Sequence, residues 1–159
     1  MYFLFCKGSK WIIVLNLFTA IFLCPSPSFA QDIRRVDSLK SLLQKTVDDK
    51  LKCDVLYALS TEYGAWDPYA ALDYAEKGLQ LAIDLGDTLR VVKGHRVKGQ
   101  LYRRVDDLTH SIKSFREGET IASRHRFQRE IREEYKDILN GIAITYTFFA
   151  DYDKALEYN

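Results

Sequence analysis

Six basic residues and no acidic one stand between Thr88 and Arg104: Arg90, Lys93, Arg96, Lys98, Arg103 and Arg104. At the 100° turn per residue of an α-helix, Lys93, Arg96, Gln100, Arg103 and Arg104 fall within an arc of about 100°, with Val91, Val92, His95 and Tyr102 set opposite. Guanidinium and ammonium groups gathered in this way suit carboxylates, whether in an acidic segment or at the end of a peptide. A solvated helix face has the same composition, and the two readings stand side by side. Lys98 lies inside the apolar arc and is expected to carry its ammonium outward on its aliphatic stem.

Other chemistry finds little to work with. There is no glycine-rich phosphate loop, no His-Glu-x-x-His and no Gly-x-Ser-x-Gly, so neither an enzyme nor a bound cofactor is expected. His95, His110 and His125 are spaced by fifteen residues, and a metal site built from them would need three helices to converge; no metal is expected. Asp151-Tyr152-Asp153 begins like a calcium loop but lacks the following glycine and the distal glutamate, which fits turn and cap chemistry better.

The first thirty residues are set apart from the rest. They hold Lys7 and Lys10, no acid, and the apolar run Trp11 to Cys24, broken only by Asn16 and Thr19. Fourteen residues are short for a membrane span, and Pro25-Ser26-Pro27-Ser28-Phe29-Ala30 closes the run with small residues at Ser28 and Ala30. The pattern is that of a secretory signal peptide over residues 1–30, cut between Ala30 and Gln31. The alternative is an uncleaved anchor in the inner membrane. An exported protein, periplasmic or extracellular, is therefore expected, touching a membrane only if that segment is retained. Ile21-Phe22-Leu23 before Cys24 lacks the small residues of a lipidation signal.

Without this segment the 23 basic residues become 21, against 22 acidic ones, and a near-neutral balance predicts no nucleic-acid partner. Of three cysteines only Cys53 would remain, which excludes an internal disulfide and suits a small core residue.

The elements that carry these residues read as helices throughout, because period-two alternation is absent and Pro68 is the only proline after residue 30. A first helix over about Ile33 to Lys45, within an N-terminal helical segment 31–50, places Ile33, Val36, Leu39, Leu42 and Leu43 on one stripe, with Asp32 as its cap. Asp48 or Asp49 opens the next, which ends near Gly64-Ala65-Trp66. Asp67-Pro68 starts a third, and Gly86 closes it. Asp87 caps the basic helix, Val105-Asp106-Asp107 turns the chain, and a break is expected near His125-Arg126-Phe127.

Aligned in pairs, the helices repeat a pattern in which a small residue precedes a tyrosine by three and another small residue follows eight or nine later. The copies are Leu56, Leu59, Ser60, Tyr63, Ala71 and Gly78, then Gly99, Tyr102, Ser111, Phe115 and Gly118, then Leu139, Ile142, Ala143, Tyr146 and Ala155. Small side chains at matched positions let antiparallel helices approach closely while the aromatic and aliphatic residues fill the space between successive pairs.

These residues resemble the tetratricopeptide repeat, most closely at Ala143-x2-Tyr146, Ala150-Asp151-Tyr152 and Ala155-Leu156-Glu157-Tyr158, and the resemblance covers about residues 51–159. It implies an all-α protein of antiparallel helix-turn-helix units stacked as a right-handed α-solenoid. The units would be 51–86, 87–126 and an incomplete 127–159. The tyrosines are 39 and 44 residues apart where the family has about 34, no proline closes a second helix, and His95 and Lys98 occupy positions where aliphatics are usual.

The resemblance implies a protein-protein interaction scaffold, not an enzyme, whose first helices line a groove for a protein or peptide, an acidic one on this composition. Lys93, Arg96, Gln100, Arg103 and Asn140 are its candidate binding residues. The wording from Asp67-Pro68 to Gly86-Asp87 is also similar to extracytoplasmic repeat regions of bacterial signalling proteins. That alternative would make the chain a sensory N-terminal fragment whose histidine kinase or DNA-binding output lies elsewhere. Ala155, Leu156 and Tyr158 are expected to stand uncovered, inviting self-association through the C-terminal end.

Overall fold

The computed structural model describes the backbone of residues 27–158 and the side chains of residues 33–158. It holds seven helices and, among the described residues, no strand: α1 (Pro27–Lys45), α2 (Asp49–Tyr63), α3 (Pro68–Asp84), α4 (Thr88–Arg104), α5 (Leu108–Arg124), α6 (Arg129–Phe148) and α7 (Tyr152–Glu157). The chain divides into two compact units, residues 1–34 and 35–159, and the second contains α2 to α7 together with the C-terminal part of α1. The apolar run expected of a signal peptide lies outside the described residues.

Aspartates start most of these helices by accepting orphan amide hydrogens of the first turn. Asp48 accepts from the amides of Lys50 and Leu51, and Asp67, Asp87, Asp107 and Asp151 each accept from the amide three residues on. Each such cap contributes about 1 kcal/mol. Gly86 ends α3 at φ 63°, a left-handed conformation that a side chain disfavours. The first helix departs from expectation. It begins at Pro27 and runs through Ala30 and Gln31, so position 32 lies inside the helix and is not its first residue. A proline in the first turn lacks an amide hydrogen that would be orphaned there anyway, so it starts the helix earlier than the aspartate could.

Each helix packs on the next from α2 to α7, and α4 also touches α2 on one side and α6 on the other. Among the described residues, no Cα atom of α3 lies within 8 Å of a Cα atom of α5. One apolar cluster gathers Val36 of α1 with Val55, Leu59, Tyr63, Ala71, Ala75, Val97 and Leu101. A second joins Val92, Phe115, Ala122, Ile131, Ile138 and Ile142, and a third holds Cys53, Tyr57 and Ala82. Cys53 is thus a core residue, fully buried.

The recurring small residues are where helices meet. A Cβ added to Gly99 would stand 2.7 Å from the Phe115 ring, and one added to Gly141 would stand 2.5 Å from the same ring. Phe115 is therefore clasped between α4 and α6. Burial of a phenylalanine on this scale contributes about 1.5–3 kcal/mol. Gly78 receives the Tyr57 ring in the same manner, at 2.8 Å. Beside Gly99, the Ser111 hydroxyl donates to the Gly99 carbonyl at 2.8 Å, which satisfies a polar group that is otherwise fully buried. Leu56, Leu59, Ser60, Tyr63, Ala71, Phe115, Ala143 and Ala155 are all buried, while Tyr102 and Tyr146 are half-buried. Tyr63 stacks on Trp66 and Tyr74, Tyr102 tilts against His110, and Tyr146 lies beside Phe149 and Tyr158.

The C-terminal end is covered further than the sequence suggests. Leu156 is 72% exposed, but Ala155 is buried, and Tyr158 packs against Tyr146 with the Arg116 guanidinium 4.9 Å from its ring centroid. Arg116 reaches it from α5, an approach that follows from α5 packing on α6 and cannot be read from α7 alone.

Candidate binding face

The first helices of the pairs, α2, α4 and α6, lie side by side, and α4 occupies the middle. Its close seat on α2 comes from Gly94, where an added Cβ would meet the Tyr57 hydroxyl at 2.5 Å. That hydroxyl donates to the Arg90 carbonyl at 2.8 Å, and burial pushes the Tyr57 phenol well above its ordinary range. Tyr57 is thus a buried hydrogen-bond donor at neutral pH.

With α4 held there, most of its basic residues meet acids of the neighbouring helices. Arg90 Nη2 donates to Asp54 of α2 at 2.6 Å, its Nη1 donates to Asp87 at 2.8 Å, and its Nε donates to the Lys50 carbonyl at 3.1 Å. Burial opposes the Asp87 charge, but the hydrogen bonds from the Arg90 amide and guanidinium outweigh it and hold the carboxyl below its ordinary value. Lys93 Nζ lies 3.5 Å from Asp54 and 5.7 Å from the Tyr57 ring centroid. On the other flank, Arg96 Nε donates to Glu134 of α6 at 2.5 Å and stands 3.9 Å from Asp137, while its Nη1 donates to Gln100. The side chains of Arg96 and Glu134 are 16% and 19% exposed, so this pair is shielded from solvent and from salt far more than a surface pair.

Lys98 does not carry its ammonium out to water. Its side chain is 15% exposed and pairs with Glu76 of α3. Beside it, His95 Nδ1 lies 3.3 Å from Glu117 of α5 without the alignment of a hydrogen bond. Burial lowers the His95 pKa from its ordinary 6.5, against the opposing pull of Glu117.

Lys93, Arg96 and Gln100 share an open depression of ≈ 290 Å³ with Asp54, Tyr57 and Thr61. Arg103 points instead toward α6, donating to the Gly141 carbonyl at 3.4 Å. Asn140 is not brought into this depression. It lies with Lys136, Leu139 and Tyr158 at a separate hollow. Sequence reasoning passed over Arg90, which sits outside the arc of the stripe although Asp87, three residues earlier, is its local partner. It also gave no role to Glu76 and Glu134, whose registers against α4 depend on tertiary packing.

No family model, no curated protein and no solved structure matches this chain. Among the described residues no group of three or more histidine, cysteine or acidic side chains is placed to hold a metal ion, and no helix is long and apolar enough to cross a membrane.

Proposed function

We propose that the chain is an exported, non-enzymatic helical-repeat module of tetratricopeptide type, a right-handed α-solenoid that holds a protein or peptide segment along its first helices. The observation that carries this reading is the contact of α2 with α4 and of α4 with α6, which joins three first helices into one surface, while α3 and α5 stay apart. The depression between Tyr57, Lys93 and Gln100 lies on that surface. An extended segment laid across it would meet the hydroxyl-bearing and amide side chains Thr61 and Gln100, and aliphatic carbon at Ala58 and Val97. It would find few free cations, since Lys93 and Arg96 already face acids of this chain. Binding there would draw on shape and neutral hydrogen bonds more than on charge.

Filling the depression tests the reading. Ala58→Trp should abolish binding of the partner protein with an unchanged helical spectrum, and Lys113→Trp, on exposed α5 surface, should leave it intact. Equal binding by both variants would overturn the assignment of this face.

A further inference from the structure

The turn between α5 and α6 carries charge that no described carboxylate answers. Arg124, Arg126, Arg129 and Arg132 stand within nine residues, with Glu130 as the one acid among them. All four arginines are exposed, and none has a carboxylate within 4 Å among the described residues. Arg129 and Glu133 are four apart on α6, but Glu133 meets Lys136 instead, and Glu134 beyond it meets Arg96. Phe127 stands in the middle of this cluster, 88% exposed, with the Arg126 guanidinium 5.7 Å from its ring centroid. A phenylalanine so placed forgoes the burial that Phe115 enjoys.

The registers of the first helices put this turn on an edge. Arg90 reaches the Lys50 carbonyl and Lys93 faces Asp54, while Arg96 meets Glu134 and Arg103 meets the Gly141 carbonyl. The helices α2, α4 and α6 therefore run parallel, and their starts at Asp49, Thr88 and Arg129 lie along one edge of the array. The turn between α1 and α2 is on that edge too, and there Val47 is 89% exposed. Val47 and Phe127 are the two most exposed large apolar side chains among the described residues. Beside Val47 the acids are engaged: Asp48 accepts from the first amides of α2, and Asp49 pairs with Lys52. Between the two tips, Asp87 pairs with Arg90, whereas Asp84 meets the neutral Gln80, so the positive excess belongs to the Phe127 end.

A bilayer with anionic headgroups suits both features at once. Arginine forks match phosphodiester oxygens, and an apolar tip enters the boundary between headgroups and acyl chains without needing a shaped pocket. A nucleic acid would answer the arginines and stack on Phe127, but it offers nothing to Val47, and a chain of formal net charge +1 steers it poorly. We propose that this edge is a peripheral membrane-docking surface, which sets Phe127, flanked by Arg124, Arg126, Arg129 and Arg132, into a layer of anionic lipid headgroups. Contact of this kind needs neither a crossing helix nor a retained N-terminal segment. It leaves the depression at Tyr57, farther along α2 and α4, open to its own partner.

The test uses the full chain with an environment-sensitive fluorescent amino acid encoded at Gln128, which is exposed and makes no side-chain cap hydrogen bond. The apolar run of residues 11–24 can carry the chain to any vesicle, so the readout is the emission of the probe and not partition. Vesicles of phosphatidylcholine with about 25% phosphatidylglycerol should shift that emission to the blue and open it to quenching by shallow nitroxide lipids. Phosphatidylcholine alone should do neither, and about 0.5 M NaCl should reverse most of the shift. Each arginine contributes about fivefold to the ratio of docked to free probe, so Arg126→Ala with Arg129→Ala should lower it about 25-fold. Phe127→Ser should lower it about tenfold. These changes fall on exposed residues and should leave the helical spectrum unaltered. An unshifted probe on the anionic vesicles would overturn the proposal, as would an equal shift on phosphatidylcholine alone or from a probe at Lys113 on α5. A probe that answers a single-stranded oligonucleotide and not the vesicles would overturn it in favour of a nucleic acid. None of these results bears on Ala58→Trp, which probes the depression at Tyr57 independently.

Discussion

Phe115 offers the sharpest test of why the small residues recur, because one ring fills the space against two different helices. Adding a methyl group at Gly99 places a carbon 2.7 Å from that ring, closer than carbon atoms approach without displacement. In a helix interior, glycine to alanine alone gains about 1 kcal/mol. Overpacking a closed site costs about 1–3 kcal/mol, and Phe115 cannot retreat toward α6, since Gly141 already touches it at the distance that leaves no room for a Cβ. Gly99→Ala should therefore be net destabilising by up to about 2 kcal/mol, the overpacking cost less the propensity gain. Phe115→Leu in the same chain relieves the collision, so the double variant should be less destabilised than the two single changes added, with a coupling of about 1 kcal/mol or more. Urea unfolding followed by helical circular dichroism on the four chains of the cycle measures this. A Gly99→Ala chain more stable than the parent, or a coupling near zero, would refute the claim that glycine is there to let α4 approach α5.

Three further outcomes follow from the same geometry. Arg96→Ala should destabilise by about 1.5–3 kcal/mol in urea unfolding, as a shielded charged hydrogen bond to Glu134 is lost, and the exchanged pair Arg96→Glu with Glu134→Arg should recover part of it. His95 is held below its ordinary value of 6.5 by burial among Glu117 of α5, Glu76 of α3 and Lys98 of its own helix. The unfolded chain therefore binds the proton first, and stability should fall as pH drops through and below about 6.5; His95→Gln should flatten that slope between pH 8 and 5 in thermal unfolding. Gly86→Ala should cost about 1 kcal/mol, since the residue stands at φ 63° with open space around it, and a midpoint in urea equal to the parent would contradict the strain argument.

Features set by neighbours in sequence were legible before the structure. Asp67-Pro68, Gly86-Asp87 and Asp107 mark helix ends because a cap needs only residues within one turn. The small residues at Gly78, Gly99 and Ala143 were legible as packing sites because their spacing repeats. The start of α1 was not, because Pro27 and Asp32 both signal a beginning and propensity alone does not rank them. Lys98 was misjudged for a different reason: its partner Glu76 lies 22 positions earlier, on a helix whose register against α4 no local pattern reveals. The same holds for Arg96 and Glu134, separated by 38 residues. Carboxylates of neighbouring helices thus meet Arg90, Lys93, Arg96 and Lys98, which a composition of six bases and no acid within α4 does not reveal.

The central claim is that a partner lies across α2 and α4 on the side where Thr61 stands. A photoreactive phenylalanine analogue placed at Thr61, exposed on that face, tests it most directly against the same analogue at Lys113 on α5. The account predicts cross-links from position 61 to one defined segment of the partner and none from position 113. Cross-links from both positions to scattered segments, or from position 113 alone, would contradict it.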